Sequence, residues 1–374
     1  MSILTRNSVY SGRGAVSNPA GRFESTRKEA VDDGWGSLDE ELPPLQTTVW
    51  AEPARSIISR NKSPDIPFDQ SINPYRGCEH GCIYCYARPS HAFLNLSPGL
   101  DFETKLFYKA DAARLLEQEL AAPNYRCSPI TIGANTDPYQ PIEREYRVTR
   151  DIIEVLSRHR HPFSIITKSA MIERDVDLMA EMAQSNLVTA LVSVTTLDNE
   201  LKRKLEPRTA SPAARLRAIR TLSSAGIPVR VMVAPVIPVL TDSELERILE
   251  AAAAAGATAA GYVLLRLPYE LKDLFREWLE EHEPLKAKHV LTRMQAMRSG
   301  RQYDSRWGHR QRGEGEYAEL LSMRFKAACA RYGLNDGERF VHNVALFKAP
   351  RCAARSPGKS SGPATPGPEQ LLLL

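Results

Sequence analysis

Long apolar runs are missing from this chain. No stretch of about eighteen apolar residues occurs, which excludes a transmembrane helix. The first residues, MSILTRNSVYSGRG, hold neither an apolar signal core nor a small-residue cleavage site, so export is not expected. Cysteine is scarce: six in 374 residues cannot form a disulfide framework, and a reducing cytoplasm fits that usage. Charge of one sign is also lacking overall, since the net charge is only +4. With 43% hydrophobic and 25% charged residues the composition is that of a soluble globular protein able to bury a large core.

What is present is an alternation of short apolar runs with helical ones. Strands are predicted at 72–75, 105–108, 130–134, 163–167, 187–194, 229–234 and 262–267. Thr149 reads as the cap of a helix over 150–158, Ser211 and Pro212 open a second that Gly226 closes, and Thr241 to Glu244 reads as a capping box before ELERILEAAAAAG. Strand–helix repeats of about thirty residues imply βαβ units and a parallel sheet. Six or seven units suggest an incomplete α/β barrel, and periodicity alone leaves a doubly wound sheet open.

Four regions follow from the same pass. Residues 1–64, rich in Gly, Ser, Pro and mixed charge, read as an extended or weakly ordered arm. Residues 65–273 form the core domain. Residues 274–350 form a basic, mostly helical extension, in which 339–347 has the pattern of a strand. Residues 351–374 read as a disordered tail.

Three of the six cysteines stand together. Cys78, Cys82 and Cys85 are spaced C-x3-C-x2-C, whereas Cys127, Cys329 and Cys352 are scattered. Thiolates are soft ligands suited to zinc or iron–sulfur clusters. A closed zinc site would need a fourth ligand, for which His80 and His91 are candidates. Three thiolates on a four-iron cube would instead leave one iron open for catalysis. Gly77 and Gly81 let the backbone wrap closely, and Tyr84 sets an aromatic ring before the last cysteine.

This motif, in a loop after the first strand of a repeating β/α chain, resembles the radical S-adenosylmethionine (SAM) superfamily. INPYRGCEHGCIYCYARPSH with the later TIGANTDPYQPIE resembles the subgroup related to spore photoproduct lyase, the DNA repair photolyase-like proteins. The resemblance implies an α/β fold: a partial (β/α)6 parallel barrel with the basic helical extension appended. It implies that Cys78, Cys82 and Cys85 bind a 4Fe-4S cluster whose open iron takes SAM. One electron then cleaves SAM to a 5′-deoxyadenosyl radical that abstracts hydrogen from a substrate. It further implies an electron donor protein such as a flavodoxin or ferredoxin.

In such a barrel functional residues lie at the carboxyl ends of strands. Lys168 and Ser193 match the positions that contact SAM in the relatives. Asn135 and Asp137, with Thr136 and Glu143, are expected to line the pocket or hold the SAM ribose, although Asn, Asp and Pro also favour plain turns. Arg208 could stack on adenine or bind a carboxylate, and equally could be a surface arginine. Cys127 lies near the place where the lyase carries a hydrogen-donating cysteine, and as readily is small packing.

Residues 286–312 carry eight lysines and arginines against Asp304 alone, interleaved with His289, Tyr303, Trp307 and His309. Such a stretch fits nucleic acid, by phosphate neutralisation and base stacking, or a solvated helix face. A zinc- or cluster-bearing nucleic-acid-binding module without SAM chemistry is the competing class.

Overall fold

A computed structural model describes residues 12–24 and 45–350; Cys352 and the tail expected over 351–374 lie outside them. Ten strands occur in chain order: β1 (Thr48–Ala51), β2 (Ser59–Arg60), β3 (Gln70–Ile72), β4 (Tyr75–Arg76), β5 (Lys105–Tyr108), β6 (Ile130–Ile132), β7 (Phe163–Thr167), β8 (Val188–Ser193), β9 (Val229–Val236) and β10 (Ala259–Leu264). The larger sheet has the order β10-β9-β8-β7-β6-β3-β2. Its strands from β3 to β10 are parallel, and β2 joins one edge antiparallel. Six parallel strands in sequence order, each followed by helix, make a partial (β/α)6 barrel whose two edges do not pair.

The strand residues explain the layering. In β7 and β8 every second side chain is fully buried: Phe163, Ile165 and Thr167, then Val188, Ala190 and Val192. That face packs on the helices Val148–Arg158 and Val176–Ala183 through Ile152, Val155 and Met179. The alternate, half-buried face holds Ser164, Ile166, Thr189 and Leu191 and turns toward the barrel interior.

Several expected elements differ. The run at 72–75 is divided: β3 joins the barrel, whereas β4 pairs with β5 in a separate three-stranded sheet with β1. Asn73 and Pro74 cause the break, because proline cannot continue the ladder. The strand at 105–108 therefore exists but is not a barrel strand. The last strand lies earlier than 262–267, at β10. Thr241 caps nothing: its hydroxyl accepts from the Ile237 N–H at 2.8 Å, and Glu244 turns away to Thr196 and Leu197. Thr149 likewise sits inside its helix, not at the cap, with its hydroxyl on Pro138 O at 2.6 Å. Residues 339–347 hold only a 3-10 turn, Val344–Leu346. Ser211 does cap its helix, accepting from Ala214 N at 3.2 Å.

The C-terminal region is helical, as Leu271–His282, Pro284–Ala296 and Glu316–Arg331. The first two pack Leu274, Phe275, Trp278 and Val290 against Ile83, Tyr84 and Leu205, so this region backs the cysteine loop. Between helices it reaches across the barrel's open side, where Gly308 N–H and Arg310 Nε both bond Asp65, at 2.6 Å each. No helix among the described residues is long and apolar enough to cross a membrane.

Candidate active site

Cys78, Cys82 and Cys85 lie on the loop that follows β4, and all three are free thiols. Gly77 and Gly81 adopt φ of +72° and +66°, a conformation open to glycine, and a Cβ at Gly81 would stand 2.7 Å from Glu103 Oε2. The loop turns around one buried cation. Arg88 donates to Cys82 O at 2.9 Å, Gly81 O at 3.1 Å and Gly99 O at 2.9 Å, and pairs with Glu103 at 2.5 Å. Glu103 also accepts from Gly14 N on Oε2 and from Ala15 N on Oε1, at 2.9 and 2.8 Å. Within the N-terminal stretch read as a loose arm, residues 13–15 are thus buried against this loop. Gly14 approaches so closely that a Cβ there would lie 1.7 Å from Gly81 O.

Burial raises the pKa of all three thiols. For Cys82 the Glu206 carboxylate adds to this, and Lys168 opposes it. Such sulfurs become stable thiolates only against metal charge. The two histidines considered as zinc ligands are engaged elsewhere. His80 Nδ1 lies 3.3 Å from Asp137 Oδ2, and His91 Nε2 lies 2.9 Å from Lys105 O with its ring against Phe102. Among the described residues no three His, Cys, Asp or Glu side chains converge on a single ion. The donor set is therefore three thiols on one buried loop, which fits a multi-iron cluster with one iron left open.

The register places the next two residues. Thr167 stands beside Val192, so Lys168 and Ser193 follow as neighbours at the carboxyl ends of β7 and β8. By strand alternation both lie on the interior face. Lys168 Nζ is 3.3 Å from Ala234 O and 5.8 Å from the centre of the Tyr84 ring, and burial lowers its pKa. Ser193 is buried, and its carbonyl accepts from Arg215 at 3.0 Å. Lys168, Ser193 and the cysteine loop share one end of the barrel.

Other expected residues have structural duties. Tyr84 donates its hydroxyl to Glu206, which also takes Thr195 Oγ1 at 2.7 Å and an ion pair from the buried Arg215. Asp137 accepts from Thr167 Oγ1 and Lys168 N, both at 2.7 Å, and from Tyr139 N at 2.9 Å. Burial would raise its pKa, but His80 and these donors together hold it below the usual range. Asp137 therefore positions Lys168 and offers no free oxygen to a ribose. Thr136 bonds Tyr75 O at 2.9 Å, and the fully buried Glu143 binds Thr149 N at 2.9 Å and Arg174 at 2.6 Å. Asn135 is the exception in this loop, because its buried Oδ1 has no partner among the described residues. Arg208 is held by Glu79 at 2.6 Å, on the rim of a cleft of about 380 Å³ that His80, Ser169 and Arg217 also line.

Cys127 is not brought to this site. It precedes β6 and so lies at the amino end of the sheet, opposite the cysteine loop, where burial pushes its thiol up to about 11. The basic stretch is divided as well: Arg298 and Arg310 are buried, while Lys286, Lys288, Arg293, Arg301, Arg306 and Arg312 are exposed together with Trp307. Sequence reasoning missed Arg88, Glu103, Glu206 and Arg215. Nothing in their spacing marks them, since the pairs Arg88–Glu103 and Arg215–Glu206 match no helical or strand period and Glu206 meets Tyr84 only through the fold.

Residues 72–252 match the Radical SAM superfamily. An uncharacterized protein of Mycobacterium tuberculosis is 42% identical over 229 residues, which are 60% of this chain and 67% of that protein. An uncharacterized protein of Methanocaldococcus jannaschii is 28% identical over 191 residues, covering 51% of this chain and 68% of the relative. Among solved structures, spore photoproduct lyase complexed with dinucleoside spore photoproduct has a TM-score of 0.55 at 16% identity, over 76% of this chain and 80% of that one. A mutant of the same lyase with bound AdoMet and the dinucleoside gives 0.53, also at 16% identity and with the same coverage. At that identity the likeness speaks for the fold.

Proposed function

The chain belongs to the radical SAM superfamily, whose cofactors are a 4Fe-4S cluster and SAM, and on that premise we propose that it is an enzyme of radical SAM chemistry, with nucleic acid as its substrate in repair or modification. When bound, the cofactors supply a one-electron reductive cleavage of SAM and hydrogen abstraction from a substrate. Cys78, Cys82 and Cys85 hold the cluster, and Lys168 and Ser193 meet SAM at the strand ends. Lys168 offers its ammonium as a point charge to the SAM carboxylate. Tyr84, fixed by Glu206, gives the lysine an aromatic neighbour that limits where its charge can go. Asn135 Oδ1 is a buried side-chain acceptor of its loop left for a ligand.

One observation carries this reading: three free thiols, two buried and one half-buried, share the carboxyl end of a parallel barrel with a lysine and a serine from adjacent strands. The nucleic-acid part rests on the exposed basic residues of 286–312 with Trp307, and on the fold shared with a lyase seen with a dinucleoside photoproduct. Electrons come from a small donor protein such as a flavodoxin or ferredoxin. A cytoplasmic setting suits the five described cysteines, all free. The test is to incubate the reconstituted enzyme, SAM and a reductant with ultraviolet-irradiated and with undamaged DNA, followed by mass spectrometry of the nucleosides. A product absent with Cys82→Ala supports the proposal. Unchanged nucleosides in both substrates, alongside active SAM cleavage, would move the substrate to another class.

A further inference from the structure

Two guanidinium groups stand buried at the carboxyl end of β10, and no carboxylate among the described residues bonds either of them. Arg266, 8% exposed, makes no hydrogen bond or ion pair to any described residue. Its guanidinium carbon lies 5.1 Å from the centre of the Tyr86 ring. Arg298, 1% exposed, donates from Nη2 to Leu265 O and leaves Nε and Nη1 without a partner among the described residues. The acid near them, Asp304, is taken by Arg306 through both oxygens at 2.6–3.1 Å. Burial lowers the pKa of Arg298 to about 10; Tyr303 and Asp304 oppose the shift and the charge of Arg266 adds to it, so the two cations sense each other.

A buried charge without a counterion costs stability, and a fold that keeps two together has a use for them. Their place suggests the use. Tyr86 follows Cys85 directly, and its hydroxyl donates to Ala134 O beyond β6, so the ring bridges the mouth between opposite sides of the sheet. The arginines border that mouth.

We propose that Arg266 and Arg298 form a subsite for a phosphate group of the substrate, beside the cysteine loop. Two guanidinium groups with unspent N–H donors offer a phosphate charge and several hydrogen bonds at once. The segment that contributes Arg298 also carries the exposed Arg301, Arg306 and Trp307, so a strand lying on that face has one phosphate directed inward. In naming a nucleic-acid backbone as the phosphate's carrier, the inference rests on the reading above.

The test uses the cluster-loaded full chain, titrated by calorimetry with thymidylyl-thymidine and with its uncharged methylphosphonate analogue. In parallel, thermal melting is followed with and without inorganic phosphate. The charged dinucleotide is expected to bind about tenfold more tightly or better, the scale of a charge-assisted contact. Phosphate should raise the melting midpoint. Arg266→Met and Arg298→Met should each abolish both effects with iron content unchanged. Without phosphate, the midpoint of Arg266→Met should not fall, because no hydrogen bond is removed and an unpaired buried charge is. Should Arg298→Met fail to fold, Arg266→Met decides. Charge discrimination that persists in Arg266→Met overturns the subsite and leaves the nucleic-acid reading standing. If phosphate stabilises the wild type and not Arg266→Met while neither dinucleotide binds, the subsite stands and the nucleic-acid reading falls.

Discussion

Arg88 shows how much of this site depends on a residue that never meets a ligand. Fully buried, it gathers carbonyls from Gly81, Cys82 and Gly99 and pairs with an equally buried Glu103. Removing one member of such a pair leaves the other charged and uncompensated, at a cost of about 3–5 kcal/mol. Arg88→Met is therefore expected to lower the melting midpoint by several degrees and to loosen the iron, although every cysteine remains. Melting curves with iron analysis check this, and a variant that melts and retains iron like the wild type would remove Arg88 from its supporting place. Lys168 is argued differently, because it lies on the interior face beside Ser193. Lys168→Ala should weaken SAM binding by about 1.5–3 kcal/mol, the worth of a hydrogen bond to a charged group, with the cluster intact. Calorimetry on the loaded protein measures it, and unchanged affinity would make Lys168 a structural lysine.

At the scale of elements, the extension after β10 acts as a strap. It leaves the last barrel strand, packs Trp278 and Phe275 behind the cysteine loop, and fastens to Asp65 on the far edge through Gly308 and Arg310. Asp65→Asn should release that fastening without unfolding the barrel. Hydrogen exchange would then quicken over residues 298–312 and stay slow in β7 to β9. Uniform protection in the variant would mean that the strap holds without its clip. The order of strands and helices was legible in the sequence because apolar period and capping residues are local signals; Ser211 shows this, as its hydroxyl caps the helix that Pro212 begins. The cysteine loop was legible for the same reason. Local signals failed where a side chain answers a distant partner: Thr241 and Glu244 have the spacing of a capping box, yet spend their oxygens on Ile237, Thr196 and Leu197. Asp137 looked like a ligand for ribose because a loop dense in polar residues reads alike whether it binds a molecule or braces β7.

For the whole molecule, the division of the basic stretch matters most. Arg298 and Arg310 face inward, so only the exposed members can neutralise a polynucleotide backbone at long range. Log affinity for single-stranded DNA should fall linearly with log salt, and Arg301→Gln with Arg306→Gln should flatten the slope by about one unit or less per arginine. Trp307→Ala should weaken binding with little change in slope, since stacking releases no counterions. A slope that is the same in all variants would make this a solvated face.

The most direct measurement of the central claim, that three thiols at the barrel mouth serve radical SAM chemistry, is the yield of 5′-deoxyadenosine. Anaerobically reconstituted protein with SAM and a reductant should carry about four irons and four sulfides per chain and form 5′-deoxyadenosine over time. Cys78→Ala, Cys82→Ala and Cys85→Ala should each lose most of the iron and all of the product, while Cys329→Ala keeps both. One zinc per chain, or loaded clusters that leave SAM intact under reducing conditions, would contradict the account.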